Sequence, residues 1–403
     1  MQLKIEAGRA IVPGLINVHS HAFQRTIRGR TERRSSAQHD SFWTWREAMY
    51  RAANQLTPDD IYHVARMAFL EMLLAGITTV GEFHYLHHAP DGTRYEDPNL
   101  LAMQVVRAAQ DVGIRIVLLR TAYARAGWQV PPNPLQARFI TPSPDIFIAD
   151  TEALRRALPD LAVGIAPHSI RALPLTYLCE IVSYARANRL PIHMHVSEQP
   201  AEIEACLQEH GRRPLQLLHE HGLLDRSFSA IHAIHIDGDE IQMLAAAGAK
   251  VCACPTTERN LGDGAVPADR LQSAGVGICF GSDSNVQIDL LEDARCLEYH
   301  LRMLRLERAV LAPEALLTGL TQTGADALGI ETDPGDYFTI DLKDAALAGA
   351  DEGCLLEAMV FCGGRPVIRD VFAGGEQVIE NGRHARQEEI VGHFVETQHK
   401  LRL

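Results

Sequence analysis

The sequence predicts an α/β chain: a (β/α)8 TIM-like barrel carrying a small β-sandwich appendage, complete or lacking its N-terminal strands. Three observations carry that expectation. Eight short β-branched apolar runs alternate with amphipathic helical stretches at a steady interval, the pattern of parallel strands joined by helical crossovers. After Pro334 the texture changes to short strand-like runs separated by Gly, Asp and Asn. A length of 403 residues suits one large domain with a smaller companion. The expected division is 1–11 as a remnant of the sandwich segment, 12–332 as the barrel, and 333–403 as the appendage and C-terminal tail.

The strand candidates, in order, are Ala10–Val18, Ile77–Glu82, Ile114–Leu119, Ala162–Pro167, Leu190–Val196, Ser229–His235, Lys250–Cys254 and Gly277–Ser282. The helix with the clearest ends runs from Pro58 to about Ala75. Thr57 is its N-cap, Pro58 takes the first helical position, Asp59 and Asp60 sit in the first turn, and Gly76 follows it. Gly127 to Pro144 carries five prolines and no periodicity, which reads as a long loop over one barrel face. In the appendage the expected strands are Asp336–Asp341, Glu357–Phe361, Val367–Phe372 and Glu376–Glu380, with Asn381-Gly382 as a turn.

Composition removes several function classes. The net charge of -13 is spread along the chain with no basic stripe, so nucleic acid is not an expected partner. No run approaches the 18 or so apolar residues of a membrane span, and Met1–Gly14 has no secretory pattern, so a soluble cytoplasmic chain is expected. Eight cysteines are too sparse for a disulfide framework, and Cys252-Ala253-Cys254 lacks the CxxC spacing, so they read as buried reduced thiols. There is no GxSxG, HExxH, P-loop or GxGxxG.

A parallel barrel delivers side chains to the C-terminal rim of its strands, which is where a site is expected. His19 and His21 leave the first strand two residues apart, and on an extended backbone both imidazoles point the same way. The fifth strand ends His193-Met194-His195-Val196-Ser197-Glu198, the sixth carries His232, and the eighth ends Gly281-Ser282-Asp283. His19, His21, His195 and Asp283 would supply a zinc site with one position left for water, with Glu198 and His232 uncoordinated but near enough to move protons. Treated as unrelated polar residues they would sit partnerless in one dry cavity, at a cost of several kcal/mol.

Pro13-Gly14-Leu15-Ile16-Asn17-Val18-His19-Ser20-His21, the His195/Glu198 spacing, His232 and the Gly281-Ser282-Asp283 ending resemble the deaminase branch of the amidohydrolase superfamily, from Gly8 to the C-terminus. Longer strings are more specific. His19 to Arg25, Asp40-Ser41-Phe42-Trp43-Thr44-Trp45-Arg46-Glu47, Glu82-Phe83-His84-Tyr85-Leu86-His87-His88 and Phe280 to Asn285 resemble the formimidoylglutamate deiminases of bacterial histidine degradation.

The resemblance implies one zinc ion per chain on His19, His21, His195 and Asp283, although imidazole and carboxylate also suit iron and manganese. It implies Glu198, His232 and Asp283 as the proton-handling group, hydrolysing N-formimidoyl-L-glutamate to N-formyl-L-glutamate and ammonia. It assigns substrate contacts to His168 and Arg171, and Gln24, Tyr85 and Arg46 match family strings as further pocket residues. Arg171 could instead be a solvated surface residue, Arg46 could pair with Glu47, and Trp43 and Trp45 read as packing anchors. A homodimer is the expected assembly.

Members of this family begin with a further N-terminal segment that supplies sandwich strands, whereas this chain starts almost at the first barrel strand. The expectation is N-terminal truncation, or C-terminal strands left without those partners and exposing an apolar face. Two rival functions stay open. A deaminase of a purine, pyrimidine or related amidine would share every metal ligand, and a non-catalytic binding protein would share the barrel.

Overall fold

The computed structural model describes residues 3–33 and 41–401; Asp40, the first residue of the tryptophan-rich string, lies outside them. Eight parallel strands follow one another in chain order: β3 (Leu15–Ser20), β4 (Ile77–His84), β5 (Arg115–Ala122), β6 (Ala162–Pro167), β7 (Ile192–Val196), β8 (Phe228–His232), β9 (Lys250–Ala253) and β10 (Gly277–Phe280). The ring closes at its C-terminal rim, where His21 N–H donates to Asp283 O and Asp283 N–H to His19 O, each at 2.9 Å. Asn17 and Ser282 lock the same seam through two hydrogen bonds of 2.7 and 3.0 Å.

Before the barrel come β1 (Lys4–Glu6) and β2 (Arg9–Pro13), and after it β11 (Tyr337–Asp341), β12 (Ile368–Ala373) and β13 (Glu376–Ile379). These five form an antiparallel sheet in the order β1-β2-β11-β12-β13. The chain therefore does carry N-terminal strands for the appendage: β2 pairs with β11 along its whole length, and Phe338 and Ile340 are fully buried. This corrects the expectation of C-terminal strands left without partners.

The expected strand Ala10–Val18 is two strands in two sheets. The break falls at Gly14, where a Cβ would lie 2.3 Å from the Thr78 hydroxyl; only glycine lets the chain pass between the sheets there. The expected strand Glu357–Phe361 is instead part of a helix, Leu355–Cys362. Leu355, Leu356, Met359 and Val360 are its buried residues, a spacing that follows the helical period rather than alternation. Ser229–His235 stops as a strand at His232, because His232 and Ala233 have φ of 71° and 50°. The Asn381-Gly382 turn is present, with both residues at positive φ (47° and 77°).

The helix Pro58–Leu74 forms with Thr57 and Asp60 in a reciprocal capping box. Against it packs a C-terminal helix, Gln387–Lys400, in the segment expected to be a tail; Lys400 meets Asp60 at 3.2 Å and Arg66 meets Glu389 at 3.1 Å. All eight cysteines are free; five are buried, Cys179 is half-buried, and Cys354 and Cys362 are exposed, which corrects the expectation of uniform burial. No helix among the described residues is long and apolar enough to cross a membrane.

Gly281 sets how closely the last strand approaches the first: a Cβ there would meet His19 Cβ at 2.7 Å and His19 O at 2.8 Å. Backbone cannot yield as a side-chain tip can. Gly281→Ala is expected to cost about 1–3 kcal/mol and to weaken metal retention together with stability, measurable as a lower Tm and a lower metal content after dialysis.

Candidate active site

The rim residues converge. His19 and Ser20 end β3, His21 follows, His195 lies in β7, His232 ends β8, and Asp283 follows β10. His195 Nε2 lies 3.1 Å from His19 Nε2, and Asp283 Oδ1 lies 3.2 Å from the Nε2 atoms of both His19 and His21. One donor atom from each of the four residues falls within 4.8 Å of the others, and all four are buried. A tetrahedral ion with bonds of about 2.0–2.1 Å holds its donors about 3.3–3.4 Å apart, so these separations suit a small cation.

The tautomers agree with that use. His21 Nδ1 donates to the Phe83 carbonyl and His195 Nδ1 to the His168 carbonyl, both at 2.9 Å, which leaves each Nε2 with a lone pair facing inward. Two inward lone pairs beside a carboxylate repel unless a cation sits among them. Burial lowers the His19 pKa to about 3 and that of His195 well below its usual value. At Asp283 burial opposes the charge, but the polar neighbours His19, His21 and His232 outweigh it and hold the carboxyl well below its ordinary range. Neutral imidazoles and an ionised carboxylate are the protonation states that metal binding needs. The cluster has the donor set and geometry of a divalent-metal site.

Beside it, His232 Nε2 is 3.7 Å from Glu198 Oε1 and 3.9 Å from Asp283 Oδ2, and His232 Nδ1 is 3.2 Å from Glu258 Oε1. Burial disfavours charge on His232, but Glu198, the hydrogen bond with Glu258, and Asp283 together raise its pKa to about 10. Burial raises Glu198 to about 8 against the pull of His232. At neutral pH Glu198 and His232 thus hold at least one transferable proton between them beside the cluster. Ser197, His232, Asp283 and Asn285 all have φ between 47° and 71°. This concentration of unfavourable backbone at one rim is the pattern of a built site.

One cavity reaches Asp283, His195, His232 and Glu198 and is also bordered by Gln24, Tyr85, His168, Arg171 and Arg46. All the expected pocket residues meet there. Arg171 is turned inward, its Nη1 donating to Tyr123 Oη at 3.2 Å and to the Ala126 carbonyl at 2.9 Å, which rejects the surface alternative. Arg46 lies 4.4 Å over the Trp43 ring, and its buried Nε and Nη1 have no hydrogen-bond partner. Burial and then the charge of Arg171 are among the causes that lower its pKa. Gln24 Nε2 donates to Tyr85 Oη at 2.8 Å, and Gln24 Oε1 is buried without a partner. Trp43 and Trp45 border the cavity as well, so they are pocket walls rather than packing anchors alone.

The profile of the amidohydrolase family matches residues 10–378. The chain belongs to the amidohydrolase family. It is 37% identical to formimidoylglutamate deiminase of Pseudomonas aeruginosa over 98% of its own length and 90% of that protein's. Among solved structures, an amidohydrolase from Brucella melitensis superposes with a TM-score of 0.91 at 34% identity, covering 99% of this chain and 95% of that one. A zinc-containing atrazine chlorohydrolase from Arthrobacter aurescens shares the fold, with a TM-score of 0.85 at 22% identity over 97% of this chain and 89% of the other.

Sequence reasoning missed several residues of this amidohydrolase site. Glu258 orients His232, yet in Pro255-Thr256-Thr257-Glu258 it looks like any acid in a first helical turn. Glu82 accepts the Ala22 N–H at 2.7 Å and so pins the chain just after His21; burial raises its pKa to about 8. Its place at the end of a barrel strand was a usable signal. Tyr50 and Tyr123 border the cavity, and no motif marked either.

Proposed function

We propose that the chain is a zinc-dependent formimidoylglutamate deiminase, hydrolysing N-formimidoyl-L-glutamate to N-formyl-L-glutamate and ammonia. The observation that carries the reading is the presence, in one cavity, of a divalent-metal cluster and two arginines, one of them with two buried nitrogens left unpaired. A dicarboxylate bearing an amidine asks for those two features together. The similarity to the Pseudomonas aeruginosa enzyme supports it.

In this reading His19, His21, His195 and Asp283 hold one zinc ion per chain, which when bound supplies Lewis acidity and lowers the pKa of a water molecule. Asp283 Oδ2, turned towards His232, takes a proton from the attacking water. Glu198, kept protonated by burial, donates to the imino nitrogen. His232, steadied by Glu258, polarises the reacting centre and stabilises the tetrahedral intermediate; the proton held on Asp283 then passes to the amino group, the C–N bond breaks, and the hydroxyl proton returns to Glu198 as ammonia leaves and the formyl carbonyl forms. His168 and Arg171 contact the glutamyl carboxylates, with Arg46, Gln24 and Tyr85 completing the pocket. The proposal includes a homodimer in the cytoplasm acting on a small molecule.

A purine or pyrimidine deaminase would share the metal cluster, and the aromatic walls Trp43, Trp45 and Tyr85 would offer stacking surface. Unpaired guanidinium nitrogens weigh against it, because a neutral base leaves them unsatisfied. Arg171→Met is the discriminating variant. Loss of a charge-assisted contact worth about 2–3 kcal/mol should raise KM for N-formimidoyl-L-glutamate about 30- to 150-fold with a much smaller change in kcat. An unchanged KM in steady-state ammonia release would count against the carboxylate pocket.

A further inference from the structure

Behind the cavity wall lies a side chain with no part in the chemistry above. Gln136 sits in the 3-10 turn Pro134–Phe139 of the proline-rich loop and is 2% exposed. The turn is held by Asn133 Oδ1, which accepts the Leu135 N–H at 3.0 Å. From there the Gln136 amide nitrogen donates to Tyr50 Oη at 2.8 Å and to Tyr123 Oη at 2.5 Å. Both rings border the cavity, while Gln136 stands one layer behind them.

The direction of these bonds decides where the phenol protons go. Tyr123 Oη accepts from Gln136 and also from Arg171 Nη1 at 3.2 Å, so its lone pairs are occupied and its own proton must find an acceptor elsewhere. Tyr50 Oη likewise accepts from Gln136. The two hydroxyls are 3.5 Å apart, well beyond the usual O–H···O length of about 2.7–2.8 Å, so neither is a good acceptor for the other. Their protons are left to the cavity, beside Arg171 and Arg46. The neighbouring acid, Glu202, is turned to the Glu198 N–H at 3.1 Å.

We infer that Gln136 is a positioning residue: it fixes Tyr50 and Tyr123 as hydrogen-bond donors, which with Arg46 and Arg171 form a four-donor subsite for a substrate carboxylate. The assignment rests on the dicarboxylate reading above, extends it to three residues, and gives the loop a role in selectivity. Arginines alone attract any anion. Two oriented hydroxyls between them favour a planar carboxylate, whose oxygens can each accept from a cation and a phenol.

The test uses zinc-loaded protein and calorimetric binding of glutarate, a probe that needs no turnover, with wild type, Gln136→Leu, Gln136→Glu and Tyr123→Phe. Gln136→Glu keeps the shape but offers only acceptors, drawing the phenol protons back out of the cavity. Tyr123→Phe removes one donor with little risk to folding. Glutarate Kd is expected to rise at least tenfold in all three variants. In parallel, in the two Gln136 variants KM for N-formimidoyl-L-glutamate should rise similarly with kcat within about threefold of wild type, and kcat/KM for a simple N-alkyl formamidine should be unchanged. Glutarate binding that is equal in all four proteins, or absent in wild type, overturns the subsite. So does a matched loss of kcat on both substrates, which marks a purely structural role. Weakened glutarate binding in the variants, with no wild-type turnover of N-formimidoyl-L-glutamate, upholds the subsite and refutes the proposed reaction.

Discussion

Glu198→Gln is expected to lower kcat by about three orders of magnitude, in the middle of the range for removing a general acid, while metal content stays at the wild-type level. Glutamine preserves the volume and polarity of the side chain but has no acidic proton. The variant isolates one function because Glu198 is 3.7 Å from His232 and lies outside the four-residue metal cluster. The pH profile of wild type checks the same assignment. Burial raises the Glu198 pKa to about 8, so the donor form persists through neutrality and is lost as pH rises through that value. The activity should therefore fall on the alkaline side, in an arm that the variant lacks. Full activity in Glu198→Gln would remove the general acid from the account.

Asp283→Asn is expected to abolish activity to below about 10⁻⁴ of wild type, since one substitution deletes the single anionic donor of the cluster and the proposed base. The backbone survives the change. Asp283 has a φ of 47°, a left-handed conformation that asparagine tolerates among non-glycine residues, and its backbone N–H and carbonyl, not its side chain, close the barrel against His19 and His21. A folded, inactive protein with reduced metal content after dialysis is the expected outcome. Retained metal at full occupancy would show that the three imidazoles suffice as ligands and confine Asp283 to proton transfer.

Much of this was legible because barrel geometry turns short spacings into shared directions. His19 and His21, two apart on an extended strand, face one point, and four strands ending in His, Glu or Asp admit few arrangements other than a common centre. Fold and metal cluster followed from local pattern. The misreadings have equally physical sources. Ala10–Val18 is one apolar β-branched run, and only the contact of Gly14 with Thr78, 64 residues away, divides it between two sheets. Leu355–Cys362 is too short for periodicity to separate a helix from a buried strand. Gln136, Tyr123 and Tyr50 meet only through the tertiary fold, and Glu258 reaches His232 from the short helix that follows the neighbouring strand, so nothing in their own neighbourhoods could announce them.

The most direct test of the central claim is ammonia release by the zinc-loaded protein given N-formimidoyl-L-glutamate, run beside a panel of purine and pyrimidine amines. Turnover of the formimidoyl compound that disappears in Glu198→Gln, with none of the nucleobases, is the expected result. Turnover of a nucleobase with none of N-formimidoyl-L-glutamate would leave the metal cluster standing and contradict the substrate that the two arginines imply.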